Sequence, residues 1–321
     1  MEASGCYQGH NGHAGRKTSC RSHCRPTASG KSGLALRLAE QIGGVIVNAD
    51  SAQIYRDLPI LSAAPRPEET ARAEHRLYAV RDGADPCSAA EWAQMAKREI
   101  SHIHAISKVP ILVGGTGLYL RTLLDGIAPV PAIDPEIRRL VRDASVAKNR
   151  EKLAALDPVA AGRLKATDTT RIARALEVVL STKITLAEWQ QRREGGISHA
   201  ISLAPIILLP PREWLYRRCD ERFSEMVDRG AAAEVRSLLA RNLDPALPVM
   251  RAIGVREIAG WLKGDVTRDE AIASGQQATR RYAKRQYTWF AHQPPEAWPR
   301  FREPFEGKSI EAALALLGSK P

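Results

Sequence analysis

The chain has 321 residues, 44% hydrophobic and 26% charged, which excludes collagen-like, disordered and disulfide-scaffold classes. Its 47 Lys and Arg against 36 Asp and Glu give a net charge of +11, which suits a polyanionic partner such as nucleic acid, or a phosphorylated substrate. The uncharged run at residues 195–211 carries Pro205, Pro210 and Pro211, and no apolar stretch follows Met1, so neither a membrane span nor a secretory signal is expected and the location expected is cytoplasmic.

In chain order, the first segment is residues 1–25, rich in Gly, Ser, His and Cys. It has no Leu, Ile, Val or Phe, so it reads as a disordered tail. Cys6, Cys20 and Cys24 with His10, His13 and His23 match no zinc spacing, and Cys87 and Cys219 form no disulfide framework. From Pro26 the texture changes. Pro26-Thr27-Ala28-Ser29-Gly30-Lys31-Ser32 stands directly before a helical spacing of Leu34, Leu38 and Ile42. It matches the end of a P-loop, G-x-x-x-x-G-K-[ST], whose amides and helix N-terminus bind phosphate, whose Lys adds charge and whose Ser hydroxyl ligates Mg²⁺. Two departures stand out: Arg25 occupies the first glycine position, and no apolar strand precedes the loop.

Val45-Ile46-Val47 reads as a buried strand ending at Asn48-Ala49-Asp50. A carboxylate at that edge, beside phosphates, would ligate Mg²⁺ or act as a general base, with a helix cap as the structural alternative. Ser88-Ala89-Ala90-Glu91 is a capping box opening a helix towards Ile106. The apolar run 109–113 stops at Gly114-Gly115-Thr116-Gly117, a turn that lets backbone approach a ligand closely. Residues 133–196 are helical in pattern and place Arg171 and Arg174 on one face. Residues 201–209 restore a strand, and helices follow, including a long one over about 267–290. There Arg280, Arg281, Lys284 and Arg285 interleave with Tyr282, Tyr287, Trp289 and Phe290, with no acid between Glu270 and Glu296, a pattern suited to phosphates. The expected fold is α/β: a P-loop NTPase-like parallel sheet core from residues 26–130 and 201–316, with a helical insertion domain at 131–200.

These pieces occur in one order with His75-Arg76-Leu77 between them, and over about residues 26–292 the chain resembles the bacterial tRNA dimethylallyltransferases. The resemblance implies that the loop holds dimethylallyl diphosphate with Mg²⁺, and that the five-carbon group passes to N6 of the adenosine just 3′ of the tRNA anticodon, giving isopentenyladenosine. By motif, Asp50 would be the general base, Ser51, Ala52 and Gln53 would hold the flipped-out base, and Thr116 would meet the tRNA and reacting centre. Thr27, Ala28, Ser29, Gly30, Lys31, Ser32 and Arg285 would serve the diphosphate, with Ser32 on the metal. Arg138 would lie at the mouth of the reaction channel. Thr170, Arg171, Ile172, Ala173 and Arg174, and the stretch from Arg251 to Arg256, would touch tRNA; the family often has Gln at the position of Thr170. The insertion, +4 over residues 134–196, would grip the RNA, and a monomer is expected.

Three rivals share these features. A P-loop kinase for small molecules or nucleosides leaves the aromatic-basic helix without a role. An isopentenyltransferase for free adenine nucleotides leaves the insertion without one. A catalytically impaired RNA-binding homologue is motivated by Arg25. A further reading concerns the tail: the codons of residues 21–25, read one base later, allow Ala-Leu-Ile-Ala-Gly, an apolar strand end plus the absent glycine, so residues 1–25 are read as disordered or frameshifted.

Overall fold

The computed structural model describes residues 18–24 and 27–317. A six-stranded parallel sheet, in the order β3-β2-β4-β1-β5-β6, holds it together. The strands are β1 (Thr18–Cys24), β2 (Val45–Asn48), β3 (His75–Arg76), β4 (Pro110–Gly114), β5 (Ile201–Leu208) and β6 (Arg300–Phe301). Between them run α1 (Lys31–Ile42), α2 (Pro67–Arg72), α3 (Ala89–Ala105) and α4 (Gly117–Asp125). Every residue of β2 and β4 is buried, as expected where helices cover both faces of a parallel sheet. The Ser88–Glu91 box caps α3 in both directions.

The expected absence of a strand before the 27–32 loop is corrected by the structure. β1 lies at the centre of the sheet, paired along residues 21–24 with β4 and along its whole length with β5. Ladder bonds use backbone groups, which Thr-Ser-Cys-Arg-Ser-His-Cys supplies as well as any other sequence; the apolar pattern by which a strand is recognised was missing, not the strand. Of the tail expected to be disordered, residues 18–24 are therefore ordered, and residues 1–17 and 25 lie outside the described residues.

Residues 135–191 form five helices: α5 (Pro135–Asp143), α6 (Val146–Leu156), α7 (Pro158–Arg163), α8 (Thr169–Thr182) and α9 (Leu186–Gln191). They close on a core of their own around Leu153, Ile172 and Leu176. The two chain crossings into this bundle touch at Gly126 and Gly196, where a Cβ on either would strike the other crossing's backbone. After β5 come α10 (Arg212–Met226), a kink at Val227–Ala231 where Gly230 takes φ 102, α11 (Ala232–Ala240), α12 (Val255–Lys263), α13 (Arg268–His292) and, last, α14 (Ser309–Leu316). No helix among the described residues is long and apolar enough to cross a membrane.

Gly114 closes β4 at a point where a Cβ would land on the carbonyl of Ala49, at the end of β2. Gly114→Ala therefore forces the two strand ends apart, an overpacking defect of about 2–3 kcal/mol, to be read as a lower urea midpoint with an unchanged slope.

Candidate active site

Three loops leave the carboxyl ends of β1, β2 and β4, the edge at which open α/β sheets bind ligands. The loop after β2 is set by Asn48, whose buried carboxamide accepts the Asp50 N–H at 2.8 Å and donates to the carbonyls of Asp50 (3.1 Å) and Leu77 (3.0 Å). Asp50, 7% exposed, takes the Ala52 N–H on Oδ1 at 3.0 Å. The Trp92 indole N–H donates to the Asn48 carbonyl at 2.9 Å, and its ring stacks on Tyr119. From the loop after β4, Thr116 donates its N–H to the Ala49 carbonyl, accepts the Ser51 N–H on its hydroxyl at 2.9 Å and reaches the Ser51 hydroxyl at 3.2 Å. Ser51 and Thr116 are thus hydrogen-bonded to each other, and Asp50 precedes Ser51 in the chain, held by Asn48 and Ala52.

The 27–32 loop turns sharply, with Ala28 and Gly30 both at positive φ. Phe305 packs where a Cβ on Gly30 would sit. Two cavities border the loop. One, of about 660 Å³, is lined by Lys31 and Ser32 together with Arg66, Arg218, Arg222 and Arg229, and also by Glu68, Glu69, Glu221 and Glu225; Lys31 and Ser32 at the start of α1 form its phosphate-type end. The other, of about 320 Å³, has Thr27, Asp50, Ser51, Ala52, Tyr282 and Arg285 on its polar side and Leu58, Leu61, Phe223 and Met226 on its apolar side. Arg222 and Met226 line both.

Arg222 is the functional residue that sequence reading missed. Its Nη1 lies 3.4 Å from the Thr27 hydroxyl; desolvation lowers its pKa, and the Asp50 carboxylate opposes that shift. In Arg217-Arg218-Cys219-Asp220-Glu221-Arg222 it reads as one more charge on a solvated helix, and no short motif flags it. Burial, with a smaller push from the Asp50 charge, drives the Tyr282 hydroxyl well above its ordinary pKa, so Tyr282 stays neutral beside the carboxylate. Burial likewise pushes the Cys219 thiol up to about 11.

Other expected site residues fall differently. Gln53 does not line either cavity: it is 3% exposed, and its amide donates to the carbonyls of Ser62 and Ala63 at 3.0 and 2.6 Å. It shapes the 58–63 loop, whose backbone Glu234 also holds through the N–H groups of Ile60 and Leu61. Arg285 projects over the Tyr282 ring and shares the smaller cavity with Thr27, while the larger cavity is lined without it. Arg280, in a run with no acid nearby in sequence, finds Asp220 of α10 at 2.5 Å. Arg251 lines the smaller cavity, and Arg256 is exposed as the second residue of α12, outside both.

On α8, Thr170 and Arg171 are exposed, and Arg171 lies 3.4 Å from Asp168. The side chains of Ile172 and Ala173 are buried in the core of the bundle, on the inward face of α8. Arg174 and Arg142 share the buried carboxylate of Glu177. Arg138, exposed on α5, adds its charge to the same group and lines neither cavity.

A profile of the IPP transferase family matches residues 53–293. The chain is 59% identical to the tRNA dimethylallyltransferase of Erythrobacter litoralis, over 88% of this chain and 90% of that one. It is 61% identical to the tRNA dimethylallyltransferase of Sphingopyxis alaskensis, over 87% and 91%. Among solved structures it is similar to the full-length tRNA isopentenylpyrophosphate transferase of Bacillus halodurans, with a TM-score of 0.68 and 29% identity over 94% of this chain and 96% of that one. A eukaryotic dimethylallyltransferase acting on tRNA gives a TM-score of 0.74 and 25% identity over 85% and 69%.

Because Arg222 is the cation common to both cavities, Arg222→Ala should weaken inorganic diphosphate binding about ten- to a hundredfold, the value of a charge-assisted hydrogen bond. Calorimetric titration of the free protein measures it.

Proposed function

The chain belongs to the IPP transferase family, and from that premise we propose that it transfers the dimethylallyl group of dimethylallyl diphosphate to N6 of the adenosine 3′ to the anticodon in tRNA. The sheet with residues 27–32 before α1 supports a P-loop NTPase-like core in which the loop is put to holding a diphosphate. The observation that carries the reading is the smaller cavity. It brings Thr27 and Arg222 from the phosphate side, Asp50 and Ser51 from β2, and an apolar wall into one space.

In this reading the C1–O bond of the dimethylallyl group breaks with its electron pair going to the diphosphate. The N6 lone pair forms the new C–N bond, and the N6 proton passes to the Asp50 carboxylate. Asp50 is held for that task by the Ala52 N–H on its carboxylate and by the Asn48 carboxamide on its backbone. Lys31, Arg222 and the loop amides would stabilise charge on the leaving diphosphate, donors placed in advance of the charge they meet. Met226 and Phe223 would shelter the five-carbon group. The adenosine must leave its stack to reach this space, as bases modified by enzymes commonly do.

Mg²⁺ fits as a further member. The Ser32 hydroxyl, a hard oxygen donor, lines the same cavity as Lys31, and Mg²⁺ takes such a donor together with phosphate oxygens and waters. When bound, it would neutralise part of the diphosphate charge. The α5–α9 bundle, with Arg138, Arg142, Arg171 and Arg174 on it, would grip the RNA backbone, and the enzyme would act as a monomer.

The test is transfer of labelled dimethylallyl diphosphate to tRNA, with isopentenyladenosine identified by mass spectrometry; a kinase would instead turn over ATP. Asp50→Asn should lower transfer by about 10²–10⁴-fold while tRNA affinity stays within about twofold; near-normal turnover would reduce Asp50 to a structural cap. R171A/R174A should weaken tRNA binding and flatten its salt dependence by up to about two units of slope. An unchanged slope would put that face away from the RNA.

A second reading, of an impaired homologue, is favoured by Arg25, a bulky residue where a glycine lets backbone wrap phosphate. The 321-residue chain should be at least about tenfold less active than its R21A/S22L/H23I/C24A/R25G version, which restores the alternative frame. Resequencing the locus should reveal the shifted base. An intact frame with full activity would remove the idea.

A further inference from the structure

We propose that Gln286 is a positioning residue that locks the 27–32 loop to the 114–117 turn, so that the group holding the diphosphate and the group holding the base move as one body. This rests on the reading of those two segments given above.

Gln286 is 5% exposed and lies on α13, far in sequence from both partners. Its Oε1 accepts the Thr27 N–H at 2.8 Å, and its Nε2 donates to the Gly115 carbonyl at 2.8 Å. The orientation of the amide is dictated, because exchanging oxygen and nitrogen would set donor against donor and acceptor against acceptor. One planar group thus spans the two loops with one bond to each.

What it spans needs holding. Ala28 sits at φ 60, a left-handed conformation that a side-chain-bearing residue keeps only when its surroundings impose it. On the other side, the turn that Gly115 belongs to continues into Thr116, which grips Ser51 beside Asp50. The path from loop to base therefore runs Thr27, Gln286, Gly115, Thr116, Ser51, Asp50. Arg222 closes it from the phosphate side at the Thr27 hydroxyl. Tyr282, one helical turn before Gln286, lines the smaller cavity, so movement of α13 would also be felt there.

Gln286→Met keeps length and volume and removes both bonds. Gln286→Glu, followed with rising pH until its buried carboxyl is ionised, keeps an acceptor for the Thr27 N–H but turns an oxygen towards the Gly115 carbonyl. The first readout is amide hydrogen exchange in the unliganded full chain, with the melting temperature as a check of folding. In the Met variant, exchange should rise about tenfold in both segments together. In the Glu variant it should rise in 114–117 alone.

Steady-state transfer gives the second readout. The Met variant should raise KM for dimethylallyl diphosphate and lower kcat; the Glu variant should lower kcat with KM within about twofold. Exchange that rises in one segment or neither in the Met variant overturns the proposal and makes Gln286 a space-filler. Should the Met variant fail to fold, the Glu variant decides alone: loosening confined to 114–117 supports the brace, and any other pattern overturns it. The exchange pattern without transfer in any version would sink the functional reading and leave the brace standing.

Discussion

The site depends on how closely two strand ends approach. At the carboxyl ends of β2 and β4 the chain leaves no room for a side chain at Gly114, because the Ala49 carbonyl stands where its Cβ would be. That closeness lets the Thr116 N–H reach the same carbonyl and its hydroxyl reach Ser51. Backbone contact of this kind is rigid, since neither partner can rotate out of the way as a side chain can. Asp50 inherits the rigidity. Its position follows from two fixed loops and the Asn48 carboxamide, all in place before any ligand arrives.

The second consequence is electrostatic. Asp50 and Arg222 are drawn out of bulk water into a space whose other wall is Leu58, Leu61, Phe223 and Met226. Desolvation disfavours the charge on Arg222, and Asp50 offsets part of that cost. In such surroundings a charge developing on a leaving group meets donors that water screens weakly. The apolar wall and the polar edge are therefore one device. The first raises the effect of the second.

How much was legible follows from the kind of signal each feature leaves. β2 and β4 were readable because strands buried on both faces are apolar runs, and β5 because its second half is one; β3 and β6, two residues each, are too short to leave one. Asp50 and the 114–117 turn were readable from their place after such runs. Arg222 and Gln286 were not, because their importance lies in partners far away in sequence: Thr27 for both, and Gly115 for Gln286. The same limit hid the counter-charge of Arg280, which α10 brings to it as Asp220.

β1 is where backbone and side-chain logic part. β1 is paired on both sides along residues 21–24, so its removal would leave two unpaired edges inside the sheet. The ladder accounts for the backbone path whatever the sequence. Side chains obey a different rule: the middle strand of a helix-covered parallel sheet is ordinarily Val-, Ile- and Leu-rich. Of the seven residues in β1, Cys20 meets that rule, fully buried and with its thiol pushed up to about 12 by burial, a small apolar group in effect. As a sequence, Thr-Ser-Cys-Arg-Ser-His-Cys lacks that apolar pattern. The alternative frame would turn residues 21–24 into Ala-Leu-Ile-Ala, an apolar run of the kind such a strand ordinarily carries.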